Sequence, residues 1–161
     1  MRELIFVDTE TTGLDPAEDS LVELTWARRT GDPKTLWFGV EQVPEFIDNF
    51  IGFTKRGLSG RESQWGEFHE FFVASDGNTM VAANPAFDKA FLDKAGLFNF
   101  HYRMLDVEAF AMAKLRSPEM PSMKNIFDIL TARKHKLAAP DHTSRNDVLA
   151  MREAFHILEK M

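Results

Sequence analysis

The sequence predicts an α/β fold in which helices cover both faces of a mixed sheet. Three observations lead to this prediction. Residues 1–40 carry the apolar runs and turn signals of strands, and near Glu41 the pattern changes to apolar residues at helical spacing. The second half then alternates strand, helix, strand and helix before it ends in helices. The 161 residues suit one compact domain and contain no repeat, so 1–161 are predicted to form a single domain.

The predicted strands are short apolar segments bounded by turns. Residues 4–7 form the continuous apolar run of a central strand that is buried on both faces. Turn sequences at 13–16 and 30–33 set off a second strand at 20–29 and a third at 34–40. Two later strands are predicted at 79–83 and 104–107.

The predicted helices follow from apolar residues spaced three or four positions apart. Residues 46–53 mark the first helix and residues 65–72 the second. Further helices are predicted at 85–95, 107–116, 122–134 and 144–160. Because most of the 15 phenylalanines lie at helical spacing, we expect them to pack in the core rather than to stack on bases.

Composition excludes several classes of protein. The absence of cysteine excludes a disulfide framework, a thiolate zinc site and a cysteine nucleophile. A formal net charge of −6 argues against a partner held by bulk positive charge. The first ten residues are too few and too acidic for a signal peptide, and no apolar stretch approaches the ~20 residues of a membrane span. The expected location is therefore the cytoplasm, away from membranes.

The triplet Asp8-Thr9-Glu10 is the most informative chemical feature. Side chains alternate along a strand, so Asp8 and Glu10 point to the same face at the end of an apolar strand, where α/β sheets bind ligands. Two such carboxylates repel each other, and an all-oxygen site for Mg²⁺ or Mn²⁺ would relieve the repulsion. Solvated acids at a strand end are an equally good explanation. A haloacid-dehalogenase-type phosphatase, a response-regulator receiver and a glycosidase also use such acids.

Two later segments add polar residues at helix starts. In Asn84-Pro85-Ala86-Phe87-Asp88, Asn84 suits the N-cap, Pro85 the first helical position and Asp88 the first turn. Asp88 is thus either a helix-start charge or a third carboxylate for a metal.

The other segment is His142-Thr143-Ser144-Arg145-Asn146-Asp147. Its Ser144-to-Asp147 spacing resembles a capping box, which explains Asp147 as a helix-start residue. His142 precedes that helix in a loop, where it is either a solvated surface residue or a general base.

Together the three segments resemble motifs I, II and III of the DEDDh 3′–5′ exonucleases. The motifs are FVDTETTGL at 6–14, NPAFD at 84–88 and HTSRND at 142–147. The family includes proofreading subunits of bacterial polymerases, ribonuclease T and oligoribonucleases. The resemblance implies a ribonuclease H-like fold, with a five-stranded mixed sheet whose second strand is antiparallel, flanked by helices. One position departs from the family pattern, because Ser144 stands where a small alanine is usual.

The resemblance also implies a mechanism. Asp8, Glu10, Asp88 and Asp147 would ligate two Mg²⁺ or Mn²⁺ ions, and His142 would act as general base. The backbone of Thr11 and Thr12, the side chain of Leu14 and the amide of Asn84 would contact the substrate. The expected reaction is hydrolysis at the 3′ end of single-stranded DNA or RNA, which releases nucleoside 5′-monophosphates. An oligoribonuclease-like enzyme and a catalytically silent nucleic-acid-binding or polymerase-accessory module are the alternatives.

Partners and the substrate path are suggested by other segments. The segment 100–107 resembles the HYRxLDV segment of oligoribonucleases, in which a tyrosine reaches the partner's active site, so Tyr102 suggests a homodimer. A strand with polar flanks is the other explanation of the segment, and we give it more weight. An association with a polymerase is the other expected protein contact. The densest basic run, Arg133 to Lys136, is one candidate path for a polyanion, and cations that suit the carboxyl end of a helix explain it equally well. Lys55, Arg56 and Arg61 are a second candidate path.

Overall fold

The computed structural model describes all 161 residues and contains one five-stranded sheet. Its strands, in chain order, are β1 (Leu4–Thr11), β2 (Leu21–Ala27), β3 (Lys34–Trp37), β4 (Thr79–Ala82) and β5 (Leu105–Asp106). Their spatial order is β3-β2-β1-β4-β5. β2 runs antiparallel to both β1 and β3, whereas β1, β4 and β5 are mutually parallel. The predicted mixed sheet with an antiparallel second strand is confirmed.

Six helices cover the sheet, and they pack their apolar sides against its two faces. They are α1 (Glu45–Ile51), α2 (Trp65–Ser75), α3 (Pro85–Lys94), α4 (Val107–Leu115), α5 (Met123–Ala132) and α6 (Ser144–Glu159). Ile5 and Val7 of β1 pack with α2 and α3 through Phe71 and Phe91. Phe6, which points to the other face, packs with α4 and α6. Alternation along one buried strand therefore directs helices to both faces, as predicted.

Several predicted elements end earlier than expected, and in the third strand and the first helix a glycine explains the difference. The third strand ends at Trp37 because Gly39 takes a left-handed φ of 67° and donates its N–H to the Arg61 carbonyl instead of continuing the ladder. The first helix ends at Ile51 because Gly52 is its left-handed C-cap, so Phe53 lies beyond the helix although it is buried in the same cluster. No helix in the structure combines the length and the apolar character needed to cross a bilayer.

Candidate active site

Three carboxylates meet where the carboxyl end of β1 faces the start of α6. Asp8 and Glu10 project from the same face of β1, as their spacing predicts, and Asp147 comes from the first turn of α6. One carboxylate oxygen of each residue lies within 4.8 Å of the other two. An all-oxygen group of this size fits Mg²⁺ or Mn²⁺ better than a soft metal.

Burial and repulsion between neighbouring acids raise the pKa values of these three carboxyl groups. Desolvation, followed by the charges of Asp88 and Glu10, raises the pKa of Asp8 well above its usual range. Desolvation and the neighbouring Glu23 raise the pKa of Glu10 to about 9. Desolvation also raises the pKa of Asp147. These three carboxylates resist simultaneous ionisation at neutral pH unless a cation balances them, so the residues present fit a divalent metal.

The fourth predicted acid, Asp88, lies beside this group and outside the 4.8 Å cluster. It is buried in the first turn of α3, where its Oδ1 accepts a 2.8 Å hydrogen bond from the Thr9 hydroxyl. Burial raises the pKa of Asp88 to about 7, although the Thr9 hydrogen bonds oppose the shift. Thr9 thus holds Asp88 against β1, and the charge of Asp88 still acts on Asp8.

His142 reaches the same site from the loop before α6. Its backbone takes a left-handed φ of 61°, and its ring stacks on Phe50 of α1 with the ring centroids 4.0 Å apart. Phe50 is 54% exposed, so the expectation that the phenylalanines pack in the core is wrong at this position. The stacked ring fixes the plane of the imidazole beside the carboxylates.

The loop that carries His142 is ordered by Asp141. The Asp141 carboxylate accepts hydrogen bonds from the Thr143 backbone N–H at 3.1 Å and from the Asn146 amide at 2.6 Å. In turn, the Asp141 N–H donates to Oδ1 of Asp147 at 2.9 Å. This contact couples the position of the loop to that of a proposed metal ligand.

The start of α6 differs from the predicted capping box. Thr143, not Ser144, is the N-cap, and its hydroxyl accepts from the Asn146 N–H at 3.4 Å. Ser144 is fully buried, and its hydroxyl shares a 2.6 Å hydrogen bond with Thr25 of β2. Asp147 therefore has no capping-box role, and its carboxylate is left to face the site.

Two clefts meet at the acidic group and share Asp8, Ala83, His142 and Asp147 as a common wall. The α1 cleft, of about 250 Å³, is also lined by Leu14, Phe50 and Phe87. The α5 cleft, of about 570 Å³, is also lined by residues of the first half of α5, by Pro140 and by Met151. All four acids thus line the α1 cleft, and Asp8 and Asp147 also face the α5 cleft.

Three of the four residues predicted to contact substrate line the α1 cleft. Thr11, Leu14 and Asn84 line the α1 cleft, and Leu14 is 77% exposed at its rim. Thr12 does not line it, because its N–H donates to the Ser20 carbonyl at 2.9 Å and its hydroxyl bonds within the same turn.

Asn84 occupies the N-cap position of α3, as predicted, with Pro85 at the first helical position. However, its backbone is left-handed, with a φ of 54°, and its side chain makes no capping hydrogen bond. The expected side-chain cap is thus wrong. The amide of Asn84 remains available to a ligand in the α1 cleft.

Sequence reasoning missed Glu23, which pairs across the sheet with Glu10 and is 0% exposed. Arg56 binds both oxygens of the Glu23 carboxylate, at 2.8 and 2.9 Å, and the Ser144 N–H donates to the same carboxylate at 3.2 Å. This buried pair joins β2, the segment after α1 and the first turn of α6. The signal in the sequence was a single charged residue in a strand that is fully buried and otherwise uncharged.

The basic segments proposed as a substrate path do not line either cleft. Arg56 is bound to Glu23, and the Arg61 guanidinium lies 3.6 Å from the ring centre of Trp37. The run 133–136 follows the carboxyl end of α5, whereas the α5 cleft contacts the amino-terminal part of that helix. The lysine that lines a cleft is Lys124, in the first turn of α5.

Tyr102 is 71% exposed and lies outside both clefts, with its ring 4.3 Å from that of His101. Its contribution to a partner's site stays a prediction.

Comparison with known proteins agrees with this architecture. No protein-family model matches the chain. The sequence is 29% identical over 173 aligned residues to the PolC-type DNA polymerase III of Lacticaseibacillus paracasei. That alignment covers 98% of this chain but 11% of the polymerase, so the chain spans about a ninth of that relative's length.

Crystal structures of Escherichia coli exonuclease I superimpose on 99% of the chain and on 40–41% of their own length. Their TM-scores are 0.67–0.68 and their identities 16–19%. One is a zinc-bound complex with single-stranded DNA, and another holds a dA16 oligonucleotide. The chain thus has the fold of exonuclease I, which confirms the predicted ribonuclease H-like fold.

Proposed function

We propose that this protein is a metal-dependent 3′–5′ exonuclease that removes nucleoside 5′-monophosphates from single-stranded DNA. The observation that carries the proposal is the carboxylate cluster of Asp8, Glu10 and Asp147, with Asp88 and His142 beside it, at the junction of two clefts. DNA is preferred over RNA as the substrate because the exonuclease I structures that share this fold hold single-stranded DNA.

Asp8, Glu10, Asp88 and Asp147 are the residues that would hold two divalent cations. When bound, such cations neutralise the phosphate and promote ionisation of the attacking water. The raised pKa values of Glu10 and Asp88 support this assignment, because both carboxylates gain from a positive neighbour.

The remaining residues orient the reaction. His142 takes the proton of the attacking water, and its stack on Phe50 keeps the imidazole plane fixed while it does so. The α1 cleft receives the terminal nucleoside, with Leu14 against the base and the free amide of Asn84 as a polar contact. The Asp141–Asp147 hydrogen bond holds the loop that carries His142 beside the metal ligands.

The test is degradation of single-stranded DNA labelled at its 5′ end, with Mg²⁺ or Mn²⁺ and with a chelator. We expect a ladder that shortens from the 3′ end and releases 5′-mononucleotides, and its loss in Asp8→Asn. Asp32→Asn, an exposed acid in the connector between β2 and β3, is the matched control and should retain full activity. An intact strand at equimolar enzyme with either metal would refute the proposal, and faster cleavage of a short RNA of the same sequence would favour the oligoribonuclease-like alternative.

The resemblance to a polymerase segment supports an accessory role beside a replicative polymerase in the cytoplasm. Co-purification with a polymerase tests this role separately from the activity. The dimer suggested by Tyr102 is tested by the mass of the protein in solution.

A further inference from the structure

Asp8 and Asp147 lie in the wall that the two clefts share, so a strand bound there can extend into both clefts. A phosphodiester held at Asp8 has one nucleoside on each side, and the structure offers one cavity on each side. The α1 cleft is the smaller, with walls from β1, α1 and the start of α3, which suits a chain end. The α5 cleft has more than twice its volume, which suits the side from which the strand continues.

We propose that the α5 cleft binds the penultimate nucleoside of the strand, with Phe127 as the platform for its base and Lys124 as the contact to the next phosphate. The proposal rests on the exonuclease activity proposed above and assigns the second binding position of that site. Hydrolysis forms a bond from the water oxygen to phosphorus and breaks the bond to O3′ of this penultimate nucleoside, whose oxygen then takes up a proton. The α5 cleft therefore holds the leaving group.

Phe127 has the setting of a stacking residue rather than of a core residue. Its neighbours Ile126 and Leu130 are fully buried in the cluster that joins α4, α5 and α6. Phe127 is half-buried, lines the α5 cleft and belongs to none of the hydrophobic clusters. Phe110 and Phe155, on the adjacent helices, pack against each other, whereas Phe127 has no ring partner. A partly exposed ring of this kind offers a face to any base.

The charges of the α5 cleft fit a nucleoside better than a phosphate. Glu108 and Asp128 line it as hydrogen-bond acceptors, which suit the N–H and O–H groups of a base and a sugar. Lys124 is the one lysine or arginine that lines either cleft, and its side chain is 77% exposed at the outer end. The next phosphate is thus expected at Lys124, although Asp128 pairs with the same ammonium group at 2.6 Å.

The experiment compares two constants, one that depends on both clefts and one that depends on the α1 cleft alone. The KM for a single-stranded thymidine oligonucleotide depends on both clefts, whereas inhibition by thymidine 5′-monophosphate depends on the α1 cleft alone. In Phe127→Ala we expect KM to rise about tenfold, the scale of one lost base stack, with an unchanged inhibition constant. Phe127→Tyr should restore KM. Trp65→Ala, which removes a 75% exposed ring outside both clefts, should leave both constants unchanged.

A second variant tests the phosphate contact. Lys124→Met should lower the slope of log KM against log salt by about 0.7, and Lys136→Met, in the basic run beyond α5, should not. An unchanged KM in Phe127→Ala, or a parallel rise of KM and the inhibition constant, overturns the assignment while the exonuclease activity stands. A wild-type protein that does not shorten the oligonucleotide refutes the proposed function itself, and the assignment falls with it.

Discussion

Metal binding to this site should release protons, and the amount follows from the titration of the acids in the metal-free protein. The perturbation is titration of Mn²⁺ into the metal-free wild type and into Glu10→Gln. At pH 7, a carboxyl with a pKa of about 9, such as Glu10, is roughly 99% protonated. One with a pKa of about 7, such as Asp88, is roughly half protonated.

Carboxylates bind a cation in their ionised form, so these protons leave when the metal binds. Glu10 and Asp88 together give about 1.5 protons at pH 7, and Asp8, whose pKa is also raised, adds to that figure. Because the free protein holds these protons, the apparent affinity for the metal rises with pH, by at least about 30-fold per pH unit near neutrality. Glu10→Gln removes the proton that Glu10 itself releases, which is about one at pH 7.

The assay is titration calorimetry at one pH in two buffers with different enthalpies of ionisation, since the difference in heat gives the number of protons released. Glu70→Gln, which alters an exposed acid paired with Lys34, is the matched control and should behave as the wild type. Heats that do not depend on the buffer in the wild type would refute the reasoning. The same release from wild type and Glu10→Gln would show that Glu10 is not a ligand.

Three further predictions concern stability. In the folded protein the pKa of Glu10 lies above its ordinary 4.5, so the stability that Glu10 contributes is full below pH 4.5 and is lost as the pH rises toward 9. Thermal scans of the metal-free protein should therefore give a Tm that falls between about pH 5 and pH 9. The Tm of Glu10→Gln should depend less on pH. Arg56→Met leaves the buried Glu23 carboxylate unpaired and should cost about 3–5 kcal/mol in urea denaturation, whereas Glu23→Gln should cost less because the Arg56 side chain is 27% exposed and reaches water. Ser144→Ala removes one of two hydroxyl partners of Thr25 and should cost about 1 kcal/mol by the same measurement; a loss above about 3 kcal/mol would contradict this view of the serine.

The strand and helix pattern was predictable because it depends on neighbours in the chain. Alternation placed Asp8 and Glu10 on one face of β1, and the structure gathers them with Asp147. Ser122 caps α5, which begins at Met123, one residue from the predicted start. Pro85 opens α3 where the sequence indicated. Each of these features is decided within a few residues, so a sequence pattern carries enough information to find it.

The contacts that shape the site join residues far apart in the chain. Arg56 reaches Glu23 across 33 positions, and the Ser144 N–H reaches the same carboxylate across 121. Phe50 lies at helical spacing like a core residue, yet its ring is exposed to a cleft and stacks on His142. Periodicity identifies the apolar face of a helix but not which part of that face another element covers. The ring of Phe50 is therefore exposed, and that of Phe127 partly exposed, because of how the helices pack in the folded protein, which the periodicity does not show.

By itself, the sequence determined the class of fold, the order of its elements and the acids at the end of β1, because local periodicity and caps encode these features. The tertiary structure decided what those acids experience. It buries Glu10 beside Glu23 and raises the pKa of Glu10, and it sets Asp88 behind Thr9. It also places Asp8 and Asp147 in the wall between two clefts. The reason is that desolvation and charge repulsion depend on which distant side chains share a volume, and the chain fixes that only when the helices pack on the sheet.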